Sequence, residues 1–84
     1  MKEIRWSLEK NIILAETRGI TFEQLLNSRF VGIEQHREKS HQKLMLFEYG
    51  KYVWVVPYVE DKDHYFLKTA FPSRKYTKKY RGGK

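Results

Sequence analysis

The chain contains no cysteine, which excludes disulfides and thiolate metal sites and fits a reducing, cytoplasmic setting. It has two prolines, and its five glycines stand singly or as the pair Gly82-Gly83, so no Gly-rich phosphate loop can form. No Gly-x-Ser-x-Gly stretch offers a nucleophile elbow. No segment approaches the ~20 apolar residues of a membrane span, and the opening Met1–Trp6 lacks the apolar run of a signal peptide. These absences point away from a membrane location. The three histidines, His36, His41 and His64, are not spaced as a helical His-x-x-x-His pair, so neither metal nor cofactor is expected.

The remaining absence concerns charge of one sign. Residues 64–84 contain no acid but seven Lys or Arg, whereas residues 1–63 carry ten of each sign. The whole net charge of +7 therefore sits in the last quarter of the chain. Such asymmetry fits a polyanionic partner, or a solvated tail.

With 84 residues the chain is read as one domain, with 81–84 as a frayed tail. Aromatics make up 15%, enough for a small core without staples. Alternation predicts a strand over 2–6. Ser7 is placed to cap a helix whose apolar stripe is Leu8, Ile12 and Ala15, widened by Ile13, and Gly19 closes it. Thr21 and Gln24 have capping-box spacing for a second, short helix bearing Phe22, Leu25 and Leu26.

Strands follow over about 29–36, 43–49, 52–59 and 64–71, with turns at Gly50-Lys51 and Asp61-Lys62-Asp63. Residues 52–59 are apolar on both faces, as in a central strand. Pro57 points to a bulge or an end of pairing there. Pro72 is expected to stop the last strand, and Ser73 to cap a helix over 74–80. The fold expected is α+β: two N-terminal helices on a small antiparallel sheet, with a short basic C-terminal helix toward the opposite face.

Two groups of residues bear on chemistry. Arg74, Lys75, Lys78 and Lys79 are interleaved with Tyr76 and Tyr80. Cations neutralise phosphates and tyrosine rings stack on bases. Equally, the tyrosines can dock the helix on the sheet and leave the cations in solvent. His36, Arg37 and His41 lie in a polar loop. A histidine can move protons and an arginine can stabilise phosphate charge, which is nearly all that metal-free RNA cleavage by the 2′-OH requires. Exposed loop histidines with no role are the plain alternative.

Two stretches resemble a known family. "IRWSLEKNIILAETRGITFEQLL" is similar to the opening of the BrnT-like toxins, through Trp6, Lys10 and the run Gly19 to Gln24. Ser7 stands where that family commonly has Asp, and Arg18 where it often has His. "VVPYVEDKDHYFLKTAFPSRKYTKKY" resembles the C-terminal motif of a branch described simply as toxins. The resemblance implies a RelE-like fold and a type II toxin that cleaves RNA and is silenced by an antitoxin. It places Arg74 and Lys75 at the family's Arg-Lys step, followed by Thr77 and Tyr80, with Lys68 in the preceding strand. Gln35 is inserted before His36 relative to that branch.

The expected catalytic set is thus His36, Arg74, Lys75 and Tyr80. The RNA-binding set is Lys68, Thr77, Lys78, Lys79, His41 and Lys43. The partners implied are RNA and a cognate antitoxin with an acidic segment, in an oligomeric complex that binds operator DNA. A non-catalytic nucleic-acid or antitoxin-binding module is the alternative.

Overall fold

The computed structural model describes residues 2–81. The elements are β1 (Glu3–Trp6), α1 (Leu8–Arg18), α2 (Phe22–Leu26), β2 (Arg29–Gln35), β3 (Gln42–Tyr49), β4 (Tyr52–Glu60), β5 (His64–Leu67), β6 (Phe71–Ser73) and α3 (Arg74–Tyr80). The strands form one sheet in the order β1-β5-β4-β3-β2, with β6 also paired to β4. The architecture is α+β, as expected, but the sheet is mixed: β1 runs parallel to β5, pairing Ile4 with Tyr65 and Trp6 with Leu67. This corrects the antiparallel expectation. The chain returns to β1 through the whole domain, so no hairpin dictates its direction.

The last strand also differs. The expected continuous strand over 64–71 is broken into β5, against Tyr58–Glu60, and β6, against Val53–Val55. Pro57 marks the break. Its carbonyl accepts the Lys68 N–H at 2.8 Å, and its missing N–H would point to that same edge. On the other edge β3 pairs through it without interruption, Leu44 opposite Pro57. Pro72 does not stop the strand but lies inside β6, which borders only β4 and so tolerates a lost donor.

The helix caps are as the spacing implies. The Ser7 side chain accepts from Lys10 N–H, Gly19 takes the left-handed conformation with φ 69°, and Thr21 and Gln24 form a reciprocal capping box. The buried face of α1 is not the expected one. Leu8 is 73% exposed, Ile12 and Ile13 also face outward, and the residues turned inward are Asn11 and Leu14. Asn11 explains the rotation. Its amide donates to Glu23 Oε1 at 2.7 Å, and its oxygen accepts the Phe22 N–H at 2.8 Å. That N–H lies at the start of α2, where it has no partner within the helix. A polar clamp, joined by Leu14, thus orients α1 over α2.

The sheet is apolar on both faces. On the α1/α2 side lie Met45, Phe47, Trp54, Val56, Tyr58 and Leu67, packed with Phe22 and Leu25. On the other side lie Leu44, Leu46, Val53 and Val55, packed against Val31 and Tyr76. A bulge between Phe30 and Gly32 in β2 lets Phe30 and Ile33 both pair on the α1/α2 side, opposite Phe47 and Met45.

Asn11→Ala leaves the Phe22 N–H buried without an acceptor, so it is expected to destabilise the fold by roughly 2 kcal/mol. Urea denaturation of the variant checks this; an unchanged midpoint would show that the clamp is not needed.

Candidate nucleic-acid interface

The C-terminal helix lies across the sheet face opposite α1 and α2, where expected. Ser73 caps it by accepting the Tyr76 N–H at 3.1 Å. Tyr76 packs on the cluster of Leu44, Leu46, Val53 and Val55, and its ring stacks on Tyr80 with centroids 6.3 Å apart. The tyrosines are therefore docking groups. Thr77 is one too: its hydroxyl accepts the Val53 N–H at 2.7 Å and donates to the Ser73 carbonyl at 2.5 Å. With both contacts made inside the fold, Thr77 anchors the helix.

Sequence reasoning missed the partner that fixes the far end of the helix. Glu34, on β2, accepts from Lys79 Nζ at 2.9 Å and from the Tyr80 hydroxyl. Arg81 reaches Glu48, which also pairs with Arg29, and donates to the Gly50 carbonyl at 3.5 Å. Arg81 is thus tied down rather than part of a loose tail; residues 82–84 lie outside the described part. A carboxylate two strands away was not legible as a partner, because only the β2–β3 register brings Glu34 under α3. The Tyr80 hydroxyl, followed by Lys79, lowers the Glu34 pKa, and the same contacts raise those of Tyr80 and Lys79. Tyr80 is consequently held as a protonated donor.

The remaining cations divide by place. Among the described residues no ion pair forms to Arg74, Lys75 or Lys78. Lys75 Nζ sits 5.3 Å from the Tyr76 ring centroid, and the positive charge of Lys75 also acts on Glu34. Arg74 faces the outer edge, beside Tyr52 and Pro72. Lys68 lies 5.6 Å from the Phe66 centroid.

His36 follows the end of β2. Its Nδ1 accepts the backbone N–H groups of Glu38 at 3.1 Å and Lys39 at 3.2 Å. The neutral ring therefore carries its proton on Nε2 and presents a donor.

The expected site residues do not form one cluster. Ser73 pairs with Val53, whereas the His36 N–H reaches Gln42, which pairs with Val59. Six residues of strand separate those rows, roughly 20 Å at ~3.3 Å per residue. His36 and Arg74 cannot touch the same phosphate. His41 and Lys43 are set further apart: Lys43 pairs with Tyr58 on the α1/α2 side, and both line a cleft of about 560 Å³ with Lys2, Tyr58 and Glu60. The sheet lies between them and α3, because alternation puts Lys43 and Leu44 on opposite faces.

Acid should loosen α3. Glu34 has a lowered pKa in the folded chain, so its contribution is present above the ordinary carboxylate value and is lost as pH falls through the folded one. Lys79 and Tyr80 have raised values, so their contributions are lost as pH rises through theirs. Amide hydrogen exchange in α3 should accelerate at both extremes relative to β4, and Glu34→Gln should remove the acid limb. An acid limb that survives in the variant would exclude Glu34 as its source.

No family model matches this chain, and no curated protein does. Among solved structures it is similar to the 1.1 Å crystal structure of the ribonuclease toxin BrnT from Brucella abortus. The two share 14% identity and a TM-score of 0.57, over 87% of this chain and 97% of the other. At that identity the likeness is one of fold: the chain has a fold like that of the BrnT ribonuclease toxin.

Proposed function

We propose that the chain is the toxin of a type II toxin–antitoxin system and cleaves RNA without a metal. The observation that carries this reading is the fold shared with a ribonuclease toxin along nearly that protein's whole length, combined with cations on α3 that form no ion pair among the described residues. In the reaction the RNA 2′-OH attacks the adjacent phosphorus and loses its proton to solvent water. The bond to the 5′-oxygen breaks, and that oxygen takes a proton from solvent, leaving a cyclic phosphate and a free 5′-OH. Arg74 stabilises charge on the phosphorus oxygens, and Lys75, next to it on the helix, adds a second cation. Lys78 and Lys68 hold flanking phosphates. His36, at the other end of α3, contacts a more distant part of the strand as a donor.

A second reading, a binder without chemistry, is favoured by the roughly 20 Å of strand between the rows of His36 and Arg74, which leaves His36 away from Arg74. Strongly salt-dependent binding with the RNA left intact would support it.

The antitoxin proposed here seats an acidic amphipathic segment on the α1/α2 side. An apolar groove of about 360 Å³ opens there, lined by Ile4, Leu26, Phe30, Ile33, Met45 and Tyr65, with Phe30 and Ile33 more than half exposed. It adjoins the cleft bearing Lys2 and Lys43, since Lys2 Nζ sits 5.6 Å from the Tyr65 ring centroid and Tyr58 packs edge-on against Tyr65. A net charge of +7 disfavours a second copy of the chain as occupant and favours an acidic one. The assembled complex is the form proposed to bind operator DNA.

The purified protein should cleave single-stranded RNA in EDTA, and Arg74→Ala should lower the rate by about 10²-fold or more. Full activity in that variant would remove Arg74 from the mechanism. In cells, induction should arrest growth, with relief by the co-expressed neighbouring reading frame. Phe30→Asp should abolish that relief while cleavage persists; relief that survives the substitution would move the antitoxin off this groove.

A further inference from the structure

On α3 the Tyr76 ring packs on the sheet and the Tyr80 hydroxyl is held by Glu34, with 38% of Tyr80 left exposed. The β3–β4 hairpin brings a more exposed tyrosine, Tyr52, beside Arg74. Tyr49 and Tyr52 face each other across the Gly50-Lys51 turn and are 39% and 48% exposed. Gly50 makes this tight turn by adopting φ 65°. Among the described residues neither tyrosine hydroxyl makes a hydrogen bond inside the fold. Beside Tyr52 is Pro72, held in β6 by its pairing with Trp54. Arg74 follows two residues later. The three line a shallow cleft of about 280 Å³.

We propose that this cleft binds a nucleobase of single-stranded RNA, stacked on the Tyr52 ring beside Pro72, with Arg74 paired to that nucleotide's phosphate. The inference rests on the ribonuclease reading for the identity of the ligand, and it adds Tyr52 and Pro72 to the site. Three features support it. The cleft lies just below the range of cofactor-sized pockets and suits a single base. It combines an aromatic face with a cation that has no carboxylate partner, the two components that bind single strands without sequence preference. Its walls come from paired strands: Tyr52 opposite Tyr49, Pro72 opposite Trp54. The stacking surface is therefore in place before RNA arrives. Tyr49, across the turn, provides a second face for the adjoining base, and Lys51 a cation at the tip.

The test is equilibrium binding of a fluorescein-labelled 2′-O-methyl RNA hexamer at low salt, followed by anisotropy. This probe lacks the 2′-OH nucleophile and cannot be cleaved by the proposed route. Tyr52→Phe should bind within twofold of the unaltered protein, because stacking does not need the hydroxyl. Tyr52→Ala should bind about tenfold more weakly with an unchanged salt slope. Arg74→Gln should bind more weakly with a slope shallower by about 0.7, the contribution of one phosphate on a single strand. The cleft assignment is overturned if Tyr52→Ala binds normally, if Tyr52→Phe is as weak as Tyr52→Ala, or if the unaltered protein fails to bind the hexamer. Tyr52 is an exposed strand-end residue, and far-UV circular dichroism confirms that each variant is folded. Cleavage of unmodified RNA is scored separately. Tyr52-dependent binding without cleavage overturns the ribonuclease reading alone, and cleavage with Tyr52-independent binding overturns the cleft alone.

Discussion

Strand β4 has to be covered on both faces. Val53 and Val55 point one way, Trp54, Val56 and Tyr58 the other, and all five are buried. At roughly 25 cal/mol per Å² of apolar surface, neither face can be left in water in a domain this small. The helices α1 and α2 cover one side. The other side would be bare without α3, which is why a seven-residue helix carrying no acid is held so firmly. Too short to be stable alone, it persists because Tyr76 buries against the sheet and Thr77 accepts the Val53 N–H.

That requirement divides the basic segment between two tasks. Lys79, Tyr80 and Arg81 hold the end of the helix to Glu34 and Glu48, and their charges are largely spent inside the molecule. Arg74, Lys75 and Lys78 form no ion pair among the described residues. The positive field over this face is therefore weaker than the count of basic residues implies. The same geometry separates the histidines from Arg74. A histidine that accepts two backbone amides shapes its loop first, and any chemistry asked of it has to compete with that role.

Much of the fold was legible because local rules agreed with the global arrangement. Ser7, Thr21 with Gln24, Gly19 and Ser73 each cap or close the element their spacing implies. The hairpin at Gly50 forms as a two-residue turn. Local rules failed where a long-range contact outweighed them. The stripe of Leu8, Ile12 and Ile13 is the more apolar face of α1, yet Asn11 turns it outward by satisfying the first turn of α2. The direction of β1 depends on its pairing with β5, about sixty residues away, which no turn encodes. For the candidate site, the residue types were legible and their grouping was not.

The amino-acid sequence by itself determined most of the helix and strand segments, where each helix starts, that β4 is central, and that the positive charge gathers at the C-terminus. These follow from capping chemistry, side-chain periodicity and composition, all of them local. The tertiary structure alone decided which basic residues stay unpaired. Glu34 and Glu48 reach the helix only through sheet register, and a shift of one residue would turn both to the other face. It also decided that Lys43 and His41 stand across the sheet from α3, and that Tyr52 comes to Arg74. Strand pairing sets those distances, and alternation along a strand sets the side.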